Sequence, residues 1–441
     1  MSYYKFLESH MGISPQVASF VAETEAELGA IFAKADETAA VNQLKILNAM
    51  QKARLSDSHF NDSTGYGYHD EGREVLETVF ANIFQAEAAL VRPQLISGTH
   101  ALATALFGNL RPNDVLFSPV GKPYDTLESV IGIRGASGSL AEFGVKYLQA
   151  ELKENGDFDY DAINAILDTK PKMVTIQRSK GYSWRKSFTP DEINELIKCI
   201  RSRSAHTIIL VDNCYGEFVA EEEPIAADIL AGSLIKNPGG GIAPGGGYVV
   251  GKKKYVEAAA ERLTAPGLGS AVGPSLGLSR TLLQGLFLAP QTVSAAVKGA
   301  VLAAAVFERL GFEIAPSVSA PRSDIVQAIK LGTPENVQAF CRGIQKAAPV
   351  DSFVTPVPAP MPGYAHGVIM AGGTFVQGSS IELSADAPMR EPYIVYFQGG
   401  LTEAHSRAGV VFAAEELFKI KTLGEGNFEK FPSPKPPSLK L

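Results

Sequence analysis

The sequence predicts an α/β fold: a mainly parallel sheet covered by helices on both faces, followed by a smaller α+β C-terminal domain. Three observations predict it. Between residues 88 and 211, short apolar runs alternate with helix-length amphipathic segments, which suits strands buried on both faces. Near Gln291 the texture changes to a long alanine-rich helix, followed by proline-rich connections and further short strands. At 441 residues the chain is long enough for more than one core.

The elements follow in order. Val17 to Lys34 and Glu37 to Arg54 are Ala/Glu-rich, with apolar residues at helical spacing. Glu71 to Gln85 reads as a helix with Val75, Leu76, Val79, Phe80 and Ile83 on one face. Ala88 to Leu95 reads as a strand, and Gly98 opens a helix to about Asn109. Strands follow at Asp114–Pro119 and Val145–Leu148, a helix at Asp159–Leu167 and a strand at Met173–Ile176. The helix Pro190–Arg201 has Thr189 as its cap and Glu192 three residues on. Thr207–Val211 is a strand, and Gly245–Gly251 turns into another. The alanine-rich helix runs to about Leu310. Tyr364–Met370 and Ser380–Leu383 fit antiparallel strands, and Tyr393–Gln398 reads as a strand or a helix start. A final helix spans Ala404–Ile420. The expected organisation is a helical arm at 1–60, a large domain at 61–290, a small domain at 291–420 and a flexible proline-rich tail at 421–441.

Composition narrows the function. The net charge is -7, and no Lys/Arg stripe marks a nucleic-acid footprint. Cys199, Cys214 and Cys341 are far apart and odd in number, which points to a reducing compartment rather than a disulfide framework or zinc site. His69 and His100 lack a ligand pair at metal spacing. No apolar signal core opens the chain, and Val293–Val306, with Ser294 and Lys298, reads as too short and too polar to span a bilayer. A cytoplasmic protein without membrane or nucleic-acid partners is expected.

Chemistry concentrates around one lysine. Lys236 lies in Ser233-Leu-Ile-Lys236-Asn-Pro-Gly-Gly-Gly, after the strand that ends in Asp212. An amine on a glycine-rich loop, with an acid at a strand end, suits pyridoxal 5'-phosphate (PLP): the lysine bonds the aldehyde and the acid pairs with the pyridinium nitrogen. The glycines would let backbone approach the ligand, and reduced solvation would help the amine lose its proton. Ser233 can offer a hydroxyl to phosphate. Ser97-Gly98-Thr99-His100 opens a helix whose free N–H groups form a phosphate cradle. Tyr124 follows a strand and could stack on the cofactor ring. Gly65-Tyr66-Gly-Tyr68 through Arg73 is dense in groups suited to phosphate. Gln177 follows a strand, placed to meet cofactor or substrate, and Arg390 is a candidate clamp for a substrate carboxylate. Lys252-Lys253-Lys254 reads as a solvated turn.

These segments together resemble the PLP-dependent fold-type I superfamily, and more closely its methionine γ-lyase-like group called aluminium resistance proteins. The matching runs are Thr64-Gly-Tyr66-Gly-Tyr68-His-Asp-Glu-Gly-Arg73, Val91 to Ala101, Val211-Asp212-Asn-Cys-Tyr215-Gly-Glu217, Ser233 to Gly241 and Gly378 to Asp386. The resemblance implies an aspartate-aminotransferase-like large domain and active sites shared across a homodimer, commonly paired into a homotetramer. It implies Lys236 as the aldehyde-bonding lysine, Asp212 as the pyridinium partner, and Gly98, Thr99 and Ser233 as phosphate ligands. Tyr124 would stack on the ring, and Tyr66 and Tyr68 would reach the neighbouring subunit's site. Well-studied γ-lyases carry Tyr-x-Arg where this chain has Tyr66-Gly67-Tyr68, so phosphate and substrate contacts are expected to differ.

The activity expected is carbon–sulfur bond cleavage on an amino acid such as methionine, cystathionine or cysteine. Lys236 would act as base, and Tyr124 would protonate the leaving thiolate. Within PLP chemistry the alternatives are an aminotransferase, aldolase or racemase. Outside it stands a PLP-binding stress protein with little turnover.

Overall fold

The structure, a computed structural model, describes residues 1–361, 364 and 366–420. The 421–441 tail lies outside the described residues. Three helices open the chain: α1 (Tyr3–Met11), α2 (Pro15–Ala26) and α3 (Gly29–Lys52). The expected break between residues 34 and 37 is not there; α3 runs through it, and the break falls at Glu27–Leu28. Ala35-Asp36 contains no breaker, whereas Gly29 is a poor helix former.

The large sheet follows. Its elements are α4 (Glu71–Ile83), β1 (Ala88–Arg92), α5 (Gly98–Asn109), β2 (Val115–Ser118), α6 (Asp125–Ile131), β3 (Lys146–Gln149), α7 (Tyr160–Leu167), β4 (Met173–Gln177), α8 (Pro190–Arg203), β5 (Ile208–Asp212), β6 (Ile229–Ser233) and β7 (Gly247–Gly251). The seven strands lie in the order β1-β7-β6-β5-β4-β2-β3. The pairs β2–β3, β2–β4, β4–β5 and β5–β6 are parallel, and only β7 runs against its neighbours β1 and β6. The mainly parallel sheet is therefore as the alternation predicts. Thr189 and Glu192 form the expected capping box on α8. β6 has the sequence Ile-Leu-Ala-Gly-Ser, whose Ala-Gly pair hides it from propensity; burial of all five residues between β5 and β7 makes it a strand. The lysine run is not a turn: Lys252 precedes α9 (Lys253–Leu263), and Lys253 and Lys254 form its first turn.

The alanine-rich helix begins earlier than Gln291. α10 (Ser279–Arg309) holds Pro290 in its interior, so the proline is not the helix start that its type suggests. By length and composition this helix could cross a membrane, which Val293–Val306 alone could not. Yet 83% of its most apolar window is buried, and α2, α3 and α12 (Glu403–Lys419) pack against it, so it is a core helix.

The second sheet contains β8 (Glu313–Ala315), β9 (Val326–Lys330), β10 (Val368–Ala371), β11 (Ser384–Pro388) and β12 (Ile394–Gln398), with α11 (Pro334–Ala347) between β9 and β10. All its pairs are antiparallel, in the order β10-β11-β12-β9-β8. The sequence does not single out β9 or α11, although Thr333 and Pro334 mark the start of α11 as cap and first residue. The segment Ser380–Leu383 is not a strand; the strand starts at Ser384. Tyr393–Gln398 resolves as a strand rather than a helix start.

This topology aligns the ends of β4, β5 and β6 along one edge of the large sheet. Gln177 sits opposite Asp212, and Asp212 sits opposite Ala231, two residues before Ser233. Ligands of open α/β sheets bind at such an edge.

Candidate active site

A cavity of about 540 Å³ opens at that edge, between the two sheets. Asp212 and Ser233 reach it as the last residues of β5 and β6, and Lys236 follows on the loop after β6. Ser97, Gly98 and Thr99 bring the N-terminus of α5 to the same wall. There Ser97 Oγ caps the helix, accepting from His100 N at 3.1 Å. Gly98 packs so closely that a Cβ would lie 3.0 Å from Cys214 Sγ and 3.3 Å from Ser233 Cβ. Tyr124 precedes α6 and lines the cavity; its N–H donates to Gln177 Oε1 at 2.6 Å. Its hydroxyl meets that of Tyr364 at 2.8 Å.

The glycines after Lys236 do something other than the sequence suggests. Gly239 and Gly240 approach backbone, Gly241 meets the Leu401 side chain, and none of the three lines the cavity. Gly240 has φ +56, and a Cβ there would collide with Gly285 O of α10; a Cβ on Gly285 would collide with Gly239 O. The long helix thus buttresses the turn Asn237–Gly239 that follows the lysine. Asn237 fixes the other side by donating to the carbonyls of Tyr215 and Glu217, both at 2.9 Å. We expect Gly285→Ala to destabilise the fold by about 1–3 kcal/mol through overpacking, measured as a lowered urea midpoint.

Lys236 Nζ rests 3.9 Å from the centroid of the Tyr215 ring. Tyr215 itself has φ 73, uncommon for a bulky residue, and the Asn237 bond helps to hold it there. The charge balance at Lys236 runs opposite to the sequence expectation. Burial alone would lower its pKa, but Cys214, Tyr215, Asp212 and Glu217 pull the other way and the net shift is upward. The unreacted amine therefore keeps its proton at ordinary pH. Burial raises Asp212, against the opposing pull of Lys236 and the Cys214 N–H, which donates to Oδ1 at 3.1 Å. Tyr124 is driven well up by burial and then by Tyr215 and Tyr364, so its phenol is neutral at ordinary pH.

Behind these groups Glu217 is fully buried and accepts from Tyr248 Oη at 2.7 Å. Burial pushes its pKa up to about 8 from 4.5. The native state then holds a proton that the unfolded chain releases between those two values. Stability should fall as pH rises through that window, by on the order of 5 kcal/mol. Glu217→Gln should flatten the difference between urea midpoints taken near about pH 5 and about pH 9.

Other residues singled out in the sequence lie elsewhere. Gln177 serves Tyr124 and the Ser179 carbonyl (2.8 Å) and does not line the cavity. Arg390 is exposed at the β11–β12 turn, where Nη2 donates to Tyr182 O at 3.4 Å. It lines a separate surface cleft with Trp184 and Tyr396, and Tyr182 stands between that cleft and the cavity. The carboxylate clamp expected at Arg390 is thus not in the cavity. Tyr66 and Tyr68 are 67% and 56% exposed, stacked at 5.5 Å, and away from this subunit's own cavity. Arg73, read as suited to phosphate, is buried and donates to Gly67 O (2.7 Å) and Gly273 O (3.0 Å), fixing the loop that carries the two tyrosines. The cavity also receives side chains that were not chosen from sequence: Tyr182, Tyr215, Tyr364, Ser379, Ser380 and Asp386. Ser379, Ser380 and Asp386 share one signal, the polar run Gly378–Asp386, and Tyr215 lies in the run Val211–Glu217.

A family model described as methionine gamma-lyase matches residues 17–418. The chain belongs to the methionine γ-lyase family. Family members share the fold over nearly the whole chain. A Clostridium acetobutylicum protein, provisionally named a cystathionine beta-lyase involved in aluminium resistance, superposes with a TM-score of 0.90 at 49% identity, covering 94% of this chain and 98% of that one. A Clostridium novyi NT protein, named a carbon–sulfur lyase involved in aluminium resistance, gives 0.89 at 46% identity, with 94% and 98% covered. The protein YnbB of Bacillus subtilis (strain 168), described as uncharacterised, is 49% identical over 401 residues, 90% of this chain and 95% of its own. Membership of this family makes the protein an enzyme of the carbon–sulfur lyase type with the fold of PLP enzymes of type I. The same fold recurs, at 16% identity and a TM-score of 0.59, in the pyridoxal-5'-phosphate-dependent protein YhfS of Escherichia coli.

Proposed function

We propose that this protein is a PLP-dependent lyase that cleaves a carbon–sulfur bond of a sulfur-containing amino acid by β or γ elimination. One observation carries the reading: a lysine amine, a strand-end carboxylate and a helix N-terminus line a single cavity. The residues fit the cofactor. Asp212 would pair with the ring nitrogen, Gly98, Thr99 and Ser233 would hold the phosphate, and Lys236 would bond the aldehyde. The missing Cβ at Gly98 lets the start of α5 approach Cys214 and Ser233 closely. When bound, the cofactor supplies an electron sink for a negative charge at Cα.

The chain's own groups do the rest. Lys236 Nζ would give up its proton on bonding the aldehyde, be released as a neutral amine when the substrate amine takes its place, and then accept the Cα proton. Asp212 would keep the ring nitrogen of the bound cofactor protonated. The neutral Tyr124 hydroxyl, hydrogen-bonded to Tyr364, donates to the leaving sulfur. Tyr66 and Tyr68 reach a neighbouring subunit's site in a homodimer or homotetramer, a reading supported by two large exposed rings on a rigidly tied loop. Three free cysteines suit a cytoplasmic setting.

Product analysis tests the reaction. Incubated with methionine, cystathionine or cysteine alone, the holoenzyme should release ammonia, a keto acid and a thiol (or sulfide) from at least one of them. A requirement for a second keto acid would instead indicate transamination, and loss of optical rotation without ammonia would indicate racemisation.

A further inference from the structure

A second cavity, of about 360 Å³, lies where the loop after β4 meets the loop joining β8 to β9. Lys180 and Ser187 line it from the first loop, and Ser323 and Asp324 from the second. Lys180 is 1% exposed. Its Nζ donates to the carbonyls of Ala315 at 3.2 Å and Val326 at 3.4 Å, which leaves the third N–H of the ammonium over. Ser323 is 2% exposed, and its Oγ makes no hydrogen bond. Arg322, next to it, gives Nη1 to Gln327 Oε1 at 2.7 Å. Its Nε and Nη2 are buried and make no hydrogen bond.

Charge does not balance around this cavity. Among the described residues no carboxylate forms an ion pair with Lys180, Arg322 or the nearby Arg185, whose Nη2 goes to the carbonyls of Gln177 (3.0 Å) and Ser179 (2.7 Å). Asp324 is the carboxylate that acts on all three from further off, and Asp212, at the other cavity, acts on Arg185 as well. Three cations thus share two acids. Asp324 is moreover occupied, accepting from Ser179 Oγ at 2.7 Å, from Ser187 Oγ and from Val326 N at 3.0 Å. At the rim Lys186 and Glu192 pair with each other at 2.8 Å and leave the sum unchanged. Burial pulls Lys180 down to about 8 and both arginines to about 10. Positive charge held this way is costly unless a ligand brings the counter-charge. An ammonium, a hydroxyl and the Nε–Nη2 edge of a guanidinium are the donors that bind a phosphate or a carboxylate.

We infer that this second cavity binds a small oxyanion, a phosphate or a carboxylate, held by Lys180, Ser323 and Arg322. The inference does not depend on the lyase reading. The loop that carries Lys180 also places Tyr182 in the wall of the active-site cavity, and Gln177 before it accepts from the Tyr124 N–H, so the anion would brace that wall from behind.

Calorimetry on the full chain tests it. Saturating PLP is kept present, so that the cradle at Gly98 is filled. Inorganic phosphate and malonate are titrated separately, with sodium chloride holding the ionic strength constant. At least one of them should bind with a Kd of about 1 mM or below, and the one that binds tighter identifies the class of anion. Lys180→Met and Arg322→Gln should each weaken that binding by at least about tenfold, the worth of one charge-assisted hydrogen bond. A loss in either variant places the anion in this cavity. Binding of neither anion, or an affinity that both variants leave unchanged, overturns the inference. Should Lys180→Met fail to fold, Arg322→Gln, at a part-exposed side chain, decides alone by the same two outcomes.

Discussion

Lys236→Ala should lower kcat/KM on any sulfur amino acid the wild type cleaves by at least about a thousandfold, because both covalent attachment and the base are lost. The fold should survive. The amine lies over the Tyr215 ring rather than within the core, and the turn after it is held by Asn237, Gly240 and Gly285, which the substitution leaves in place. A melting curve close to wild type, alongside lost turnover, separates chemistry from folding. Turnover within tenfold of wild type would remove Lys236 from the mechanism.

Asp212→Asn should cost about a hundredfold to a thousandfold in kcat, with a smaller change in KM. The amide has the same shape and its oxygen can still accept from the Cys214 N–H, so the local structure is retained. Only the charge facing the cavity disappears. That charge matters only when negative charge develops at Cα, so the loss should fall on kcat. If KM rises and kcat holds, Asp212 is a binding group and not the partner of a pyridinium.

The parts of this site legible in the sequence are those with a local signature. The run Ile-Ile-Leu-Val-Asp212 announces a buried strand ending in an acid, and Ser97-Gly98-Thr99 announces a helix start. Lys236 stands out because it falls between that strand and the glycine run Gly239-Gly240-Gly241. The rest depends on contacts distant in sequence. Gly240 reads as a ligand contact until Gly285, on a helix that sequence starts too late, is seen against it. The proton balance at Lys236 has the opposite sign from simple burial because Cys214, Tyr215 and Glu217 come from the loop after β5. Arg390 is the side chain that chemistry suggests for a carboxylate. The register of the second sheet decides otherwise, by starting β11 at Ser384, placing Asp386 at the cavity and leaving Arg390 at an exposed turn. Strand register is set by pairing partners, which no single segment reveals.

The central claim is that the Lys236 amine bonds the aldehyde of PLP. It is tested most directly by borohydride reduction of the purified holoprotein, followed by peptide mass mapping. The account predicts loss of the visible absorbance and one pyridoxyl phosphate mass increment, located on the peptide that carries Lys236. A label on a different lysine, or a preparation that takes up no cofactor and acquires no label, would contradict it.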